Sequence, residues 1–238
     1  MMKLKYLLVA ALMIIGFAST FLSCTLTDDE PTENIMQSES GTFSTLGTVM
    51  ASGEYLTIES DRYGTLIPDN PDMLAQIDAD STGQRILVGF MFLDNTAPRS
   101  THESYPIRIV DLLYKVETRN AEMLQEEGED TFGNDPLQII DATLSKNHLN
   151  IQYNYKGDKK ASHRFSLIIR ENSQTDAEGL FPVELRHDAN NDPAGNSLES
   201  IISFPLESIE TYLTSTYNGF RIVYNSGANS HAEWKVLK

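Results

Sequence analysis

Leu149-Asn150-Ile151-Gln152-Tyr153-Asn154-Tyr155 decides the fold of this chain: every odd position is apolar or aromatic and every even position is an amide. That period of two marks a strand with one buried and one wet face in an antiparallel sheet. Upstream, Ile139 to Leu144 reads as a second strand, and Ser145-Lys146-Asn147-His148 as the turn that folds the two into a hairpin. Downstream, His163 to Ile169, Phe181 to Arg186, Phe220 to Tyr224 and Glu233 to Leu237 read as further strands. Antiparallel strands separated by turn residues predict a β-sandwich. After Pro205, Leu206, Ile209 and Leu213 recur at helical spacing and predict a short amphipathic helix.

The first half is also β in character. Tyr55 to Ile58 alternates, with Leu56 and Ile58 on one face. Gln84 to Leu93 is apolar on both faces, as in a strand covered on both sides, and Gly89 in its middle predicts a bend or bulge. Pro106 to Val116 alternates around Ile107 and Ile109. Asn70-Pro71-Asp72 predicts a helix start, with Asn70 as cap, Pro71 at the first helical position and an acid in the first turn. Met73, Leu74 and Ile77 give that helix an apolar face. About five strands with one interposed helix fit a small closed barrel of the OB type. The expected fold class is therefore all-β: an OB-like barrel followed by an antiparallel β-sandwich, with one or two short helices. Residues 119–136 shift sharply in composition, with Glu126, Glu127, Glu129 and Asp130 among Gly128, Gly133 and Pro136. This predicts a boundary, giving a barrel over 42–130 and a sandwich over 131–238.

The amino terminus has the form of a processing signal. Lys3 and Lys5 precede the apolar run Tyr6 to Ala18, and small residues follow before Cys24, so residues 1–23 are expected to be a signal peptide. Cys24 is the only cysteine, which excludes an intrachain disulfide framework. It follows Phe21-Leu22-Ser23, a lipobox-like stretch, although Phe21 stands where Leu is usual. Cys24 is thus the expected lipidation site and the means of membrane attachment. Residues 24–41, rich in Thr, Asp, Glu, Pro, Ser and Asn, read as lipidated cysteine plus flexible tether. The acidic run Asp28-Asp29-Glu30 close behind Cys24 resembles a surface-export signal, which points to the outer membrane, with the cell surface favoured over the periplasmic face. The 238-residue chain carries a formal charge of −16, against 18 Lys+Arg and 34 Asp+Glu. That balance argues against nucleic acid as a partner.

No residue is singled out as catalytic, cofactor-binding or metal-binding. The five histidines, His102, His148, His163, His187 and His231, have no zinc-protease spacing, and no nucleophile elbow, phosphate loop or dinucleotide fingerprint is present. Asp188 to Glu199 places oxygen-bearing residues at calcium-loop positions one, three, five, nine and twelve, but Pro193 occupies the position that wants Gly. The stretch reads better as a polar turn. Tyr153, Tyr155, Tyr224 and Trp234 could stack on sugars, yet their strand patterns place them toward the core.

Several stretches resemble the carboxy-terminal half of NigD-like lipoproteins: Gly133-Asn134-Asp135-Pro136-Leu137, His148 to Tyr153 with Gly157, His163-Arg164-Phe165-Ser166-Leu167, Leu185 to Asp192, and Ser203-Phe204-Pro205-Leu206. The resemblance implies an OB-like amino-terminal domain, a carboxy-terminal β-sandwich and an outer-membrane lipoprotein. It brings no active site. The family's name comes from a bacteriocin gene cluster, where an immunity role was proposed. The expected function is a non-enzymatic, lipid-anchored envelope protein that binds a protein or peptide partner, such as a bacteriocin. A surface glycan-binding accessory lipoprotein is the alternative, and a lipid-anchored hydrolase a third.

Overall fold

The computed structural model describes residues 41–52, 55–93, 103–125, 131–158, 161–192, 195–213, 216–227 and 230–238. The expected signal peptide, Cys24 and all but the last residue of the tether lie outside the described residues. The barrel is built from β1 (Phe43–Ser52), β2 (Tyr55–Ser60), β3 (Gly64–Pro68), β4 (Arg85–Phe92) and β5 (Ser104–Thr118), with α1 (Asp72–Ala75) between β3 and β4. β1 pairs antiparallel with β2 and β4, β2 with β3, and β4 with β5. A parallel β3–β5 pairing closes the ring. Five strands in this order, with a helix after the third, form the expected OB-type barrel.

Local chemistry explains most of the barrel. The β4–β5 register shifts between Val88 and Phe90, so Gly89 is the expected bulge. Ile58, Leu66, Leu74, Ile86, Val88, Phe90 and Ile107 fill the interior, and Leu74 brings α1 against it. Asn70 departs from expectation. Its side chain makes no cap bond to α1. Instead its amide donates to the Ile109 carbonyl at 2.9 Å and its oxygen accepts the Ile109 N–H at 2.9 Å. A side-chain amide has the same donor and acceptor as a peptide group, so Asn70 extends the β3 edge along β5 by one rung.

The sandwich uses β6 (Glu122–Leu124), β7 (Leu137–Leu144), β8 (His148–Gly157), β9 (Arg164–Arg170), β10 (Leu180–Asp188), β11 (Asn196–Pro205), α2 (Leu206–Glu210), β12 (Gly219–Gly227) and β13 (Ser230–Leu237). One sheet runs β5-β11-β8-β7 and continues into the barrel through β5; the facing sheet runs β13-β12-β10-β9-β6. Inward-facing Leu149, Ile151 and Tyr153 of β8 meet Phe165, Leu167 and Ile169 of β9 and Phe181, Val183 and Leu185 of β10 in one core. Burying each such side chain contributes about 1.5–3 kcal/mol. The β7–β8 hairpin turns where expected, with the Ser145 N–H bonded to the His148 carbonyl at 2.9 Å. α2 likewise follows Pro205 and buries Leu206 and Ile209.

Three further features differ from the sequence reading. β6 lies within the stretch 42–130 expected to be barrel, yet it pairs with β9 in the sandwich. The sandwich is not wholly antiparallel: β5–β11, β6–β9 and β10–β12 pair in parallel. After β10 the chain crosses to the opposite sheet as β11 and then crosses back, so β12 returns in the direction of β10. The amide face of β8 is also not uniformly wet. Asn150 is only 3 % exposed. It lies against the barrel, where its Oδ1 accepts from Arg85 Nη2 at 2.9 Å and from Ser203 Oγ at 2.7 Å, and its Nδ2 donates to Asp61 at 3.0 Å. Arg85, itself 1 % exposed, forms a two-pronged ion pair with Asp61 at 2.8 and 2.6 Å and donates to Thr48 Oγ1 at 3.1 Å. This buried polar knot joins β4 and the residue after β2 to β8 and β11.

Candidate functional site: the open mouth of the sandwich

At the end of the sandwich where β7 begins and β8 and β10 end, the two sheets part around a cavity of about 380 Å3. Tyr155, Leu137, Pro136 and Ala189 give it apolar walls, and Asp135, Asn154, Lys156, His187, Asp192 and Ser197 supply polar groups. An apolar cavity with a few placed polar groups is the usual form of a ligand site.

The wall is held by a chain of hydrogen bonds. Asp192 Oδ2 lies 3.1 Å from His163 Nε2 and accepts the Asp158 N–H at 2.6 Å. His163 Nδ1 lies 2.8 Å from His187 Nε2, and His187 Nδ1 lies 3.3 Å from the Pro136 carbonyl. The register that sets Phe165 opposite His187 brings the two imidazoles together, since His163 is two residues before Phe165. Phe165 stacks on His187 at 4.6 Å and 6°, and the Tyr155 ring lies 4.8 Å from His163 and 5.4 Å from His187. Burial holds the His187 pKa below the ordinary histidine value; the bond to Pro136 opposes that and the neighbouring His163 adds to it. Burial likewise raises the Tyr155 phenol.

Asp135 and Pro136, just before β7, form one wall. The Asp135 N–H donates to the His187 carbonyl at 2.7 Å, and Asp135 Oδ2 accepts the Ala189 N–H at 2.8 Å. Gly133 makes this contact feasible: it has φ 71°, and a Cβ there would lie 2.7 Å from Asp188 Cα. Gly157 has the same importance for the imidazole pair, because a Cβ there would lie 2.5 Å from the His163 ring.

The structure places the other singled-out residues apart from this mouth or gives them other work. Tyr153 and Tyr224 are core residues, whereas Tyr155 reaches the cavity and Trp234 packs partly buried against the core. In the loop weighed for calcium, Asp188 Oδ1 caps its own turn by accepting the Asn190 N–H at 2.8 Å. Asp192 turns to His163, and Glu199 lies in β11 bonded to Gln152. Asn190 and Asn191 both take positive φ, as turn formers do. His148 lines a second, smaller cavity of about 250 Å3 with Asp61, Glu59 and Lys146. Its pKa is pushed down to about 4, first by burial and then by Arg85. His231 lies exposed on β13, and His102 is outside the described residues. No sequence spacing announced the His163–His187–Asp192 cluster, but four of the five stretches that carry the family resemblance contribute to this end of the sandwich.

Solved structures share the fold along most of the chain. A protein of unknown function, DUF1344, from Bacteroides vulgatus superposes with TM-score 0.64 at 22 % identity, covering 83 % of this chain and 90 % of that one. A proposed lipoprotein from Bacteroides fragilis gives TM-score 0.61 at 12 % identity, with 82 % and 97 % coverage. A NigD-like immunity protein from Bacteroides caccae gives TM-score 0.57 at 18 % identity, with 80 % and 90 % coverage. No curated protein matches the sequence. Residues 120–236, the part of the chain that holds the mouth, match the NigD-like C-terminal beta sandwich domain, and the protein carries that domain.

Proposed function

We propose that this protein is a non-enzymatic receptor, lipid-anchored through Cys24 to the outer membrane, that captures a basic segment of a peptide or protein at the sandwich mouth. The observation that carries the reading is the cavity itself, whose lining includes Asp135, Asp192 and Tyr155. An aromatic face beside carboxylates suits an ammonium or guanidinium group. Several polar side chains of the wall are held by hydrogen bonds: Asp192 with His163, His163 with His187, Asp135 with the Ala189 N–H, and Gln138 with Tyr224. The chain's formal charge of −16 favours basic partners over acidic ones.

The Bacteroides caccae neighbour is an immunity protein, and a cationic bacteriocin would suit the mouth. Expression of the gene in a sensitive strain should then raise survival under toxin challenge. Binding of the purified protein to that toxin should weaken as salt rises, since screening at physiological salt acts beyond about 8 Å. Equal survival and no binding at low salt would remove the immunity role. Asn154 and Tyr155, which both line the cavity, support a second reading, capture of a glycan. An oligosaccharide array would report that reading directly, as salt-insensitive binding lost in Tyr155→Ala.

A further inference from the structure

The hydrogens in the wall of the mouth can be counted. The Asp192 carboxylate and the Pro136 carbonyl, at the two ends of the chain, only accept. His163 Nε2 must therefore donate to Asp192, and His187 Nδ1 must donate to Pro136. One more hydrogen lies between His163 Nδ1 and His187 Nε2. Three hydrogens on two imidazoles is one more than two neutral rings possess. The fully bonded cluster thus holds one added proton, shared among its members, and this proton offsets the charge of Asp192.

The same cluster borders the cavity, because His187 and Asp192 line it together with Tyr155. Asp192 Oδ1 has no hydrogen-bond partner among the described residues, as both contacts of this carboxylate are made by Oδ2. We propose that a cationic group enters the mouth in exchange for the cluster's proton, pairing with Asp192 over the face of Tyr155. The proposal rests on the reading of the mouth as a receptor for basic segments and adds a proton to it. On binding, one imidazole N–H bond breaks, its electron pair stays on the ring nitrogen and the proton passes to buffer. The two positive charges exclude one another because they face the same carboxylate across a wall largely closed to water. Burial already disfavours charge on His187.

Among the described residues, the charged and titratable groups around the cluster are few, and Asp158, whose N–H bonds Asp192, is one of them. Asp135 stands on the segment before β7, and Asp188 and Asp192 flank the turn after β10. Tyr155 and Lys156 belong to β8, and Tyr114 and Glu117 of β5 act on Tyr155. Arg164 of β9 is occupied by Glu122 of β6. The β11 and β12 residues at the cavity, Ser197 and Ser226, are neutral.

The test is calorimetric titration of the purified protein with a hexa-arginine peptide at low salt, across about pH 5 to 8, the range in which histidines titrate. Affinity should rise by about tenfold per pH unit through the cluster's transition and then level off, as exchange of one proton requires. Heats measured in buffers of different ionisation enthalpy should report one proton released per peptide. His163→Phe keeps a ring in the packing and removes the proton, so its affinity should lose the pH slope and its binding should release no proton. Binding to the acidic surface at large would be indifferent to this substitution. Should the variant fail to fold, imidazole 15N shifts of the unmodified protein decide the matter. Loss of the imidazolium signal on adding peptide supports the exchange, and unchanged shifts overturn it. Tight binding with no proton released overturns the exchange and leaves the receptor reading standing. No binding at any pH overturns both.

Discussion

Replacing Asp61 with Asn should destabilise the protein far more than replacing its partner Arg85 with Met. The Arg85 side chain has no solvent exposure, whereas that of Asp61 is 17 % exposed. Asp61→Asn strands a guanidinium in the junction between barrel and sandwich, and removing one member of a buried pair costs about 3–5 kcal/mol. The Thr48 and Asn150 contacts keep part of the guanidinium satisfied, so about 3 kcal/mol, the lower end, is expected. In Arg85→Met, Asp61 retains the Asn150 amide and reaches water, and Asn150 Oδ1 retains the Ser203 hydroxyl. The substitution also removes Arg85 Nε, a buried donor with no partner among the described residues, and leaving such a donor unpaired costs about 1–3 kcal/mol. The net loss in Arg85→Met should therefore be about 1 kcal/mol. Urea unfolding of the two variants, compared at equal m-value, measures the difference. If Arg85→Met proves as costly as Asp61→Asn, the knot works through Arg85 packing rather than through the stranded charge, and the reasoning fails.

Other outcomes can be checked independently. His148 stays neutral in the folded protein down to about pH 4, while in the unfolded chain it takes a proton near its ordinary value of about 6.5. Its contribution is therefore intact above about 6.5 and is lost as pH falls toward 4, and His148→Gln should flatten that part of the stability–pH curve. A variant curve as steep as the parent's would show that other groups set the slope. Gly133→Ala should lower the melting temperature and loosen the mouth, because the new methyl meets Asp188 within 2.7 Å at a positive φ. Amide exchange at Asp135 and Ala189 would speed up if so. Gly157→Ala should shift the imidazole resonances of His163 before those of His148, since only the former ring lies against the new methyl. Cys24→Ala should leave a protein with no acyl chains by mass spectrometry; acylation persisting in that variant would remove the proposed anchor.

Elements whose burial is one-sided are legible from residue order alone. The alternation from Leu149 to Tyr155, the hairpin turn at Ser145 to His148 and the Pro205 start of α2 are local signals, because period and turn chemistry are set by neighbours in the chain. Gly89 is legible for the same reason, as a glycine in a strand has few other uses. β11 was not legible. Asn196–Pro205 lies between β5 and β8 and lacks a clean alternation, since its position in the sheet, covered by different neighbours along its length, decides which residues are buried. The burial of Asn150 is hidden for a related reason: nothing near it in sequence says that the barrel covers that end of β8. The candidate site lay still further from view. His163 and His187 are joined only by the β9–β10 register, and Asp192 joins them only because two successive left-handed asparagines turn the chain back. Pairing across strands and covering by a second module are long-range events, so the tertiary structure alone decided where the polar residues of this chain would meet.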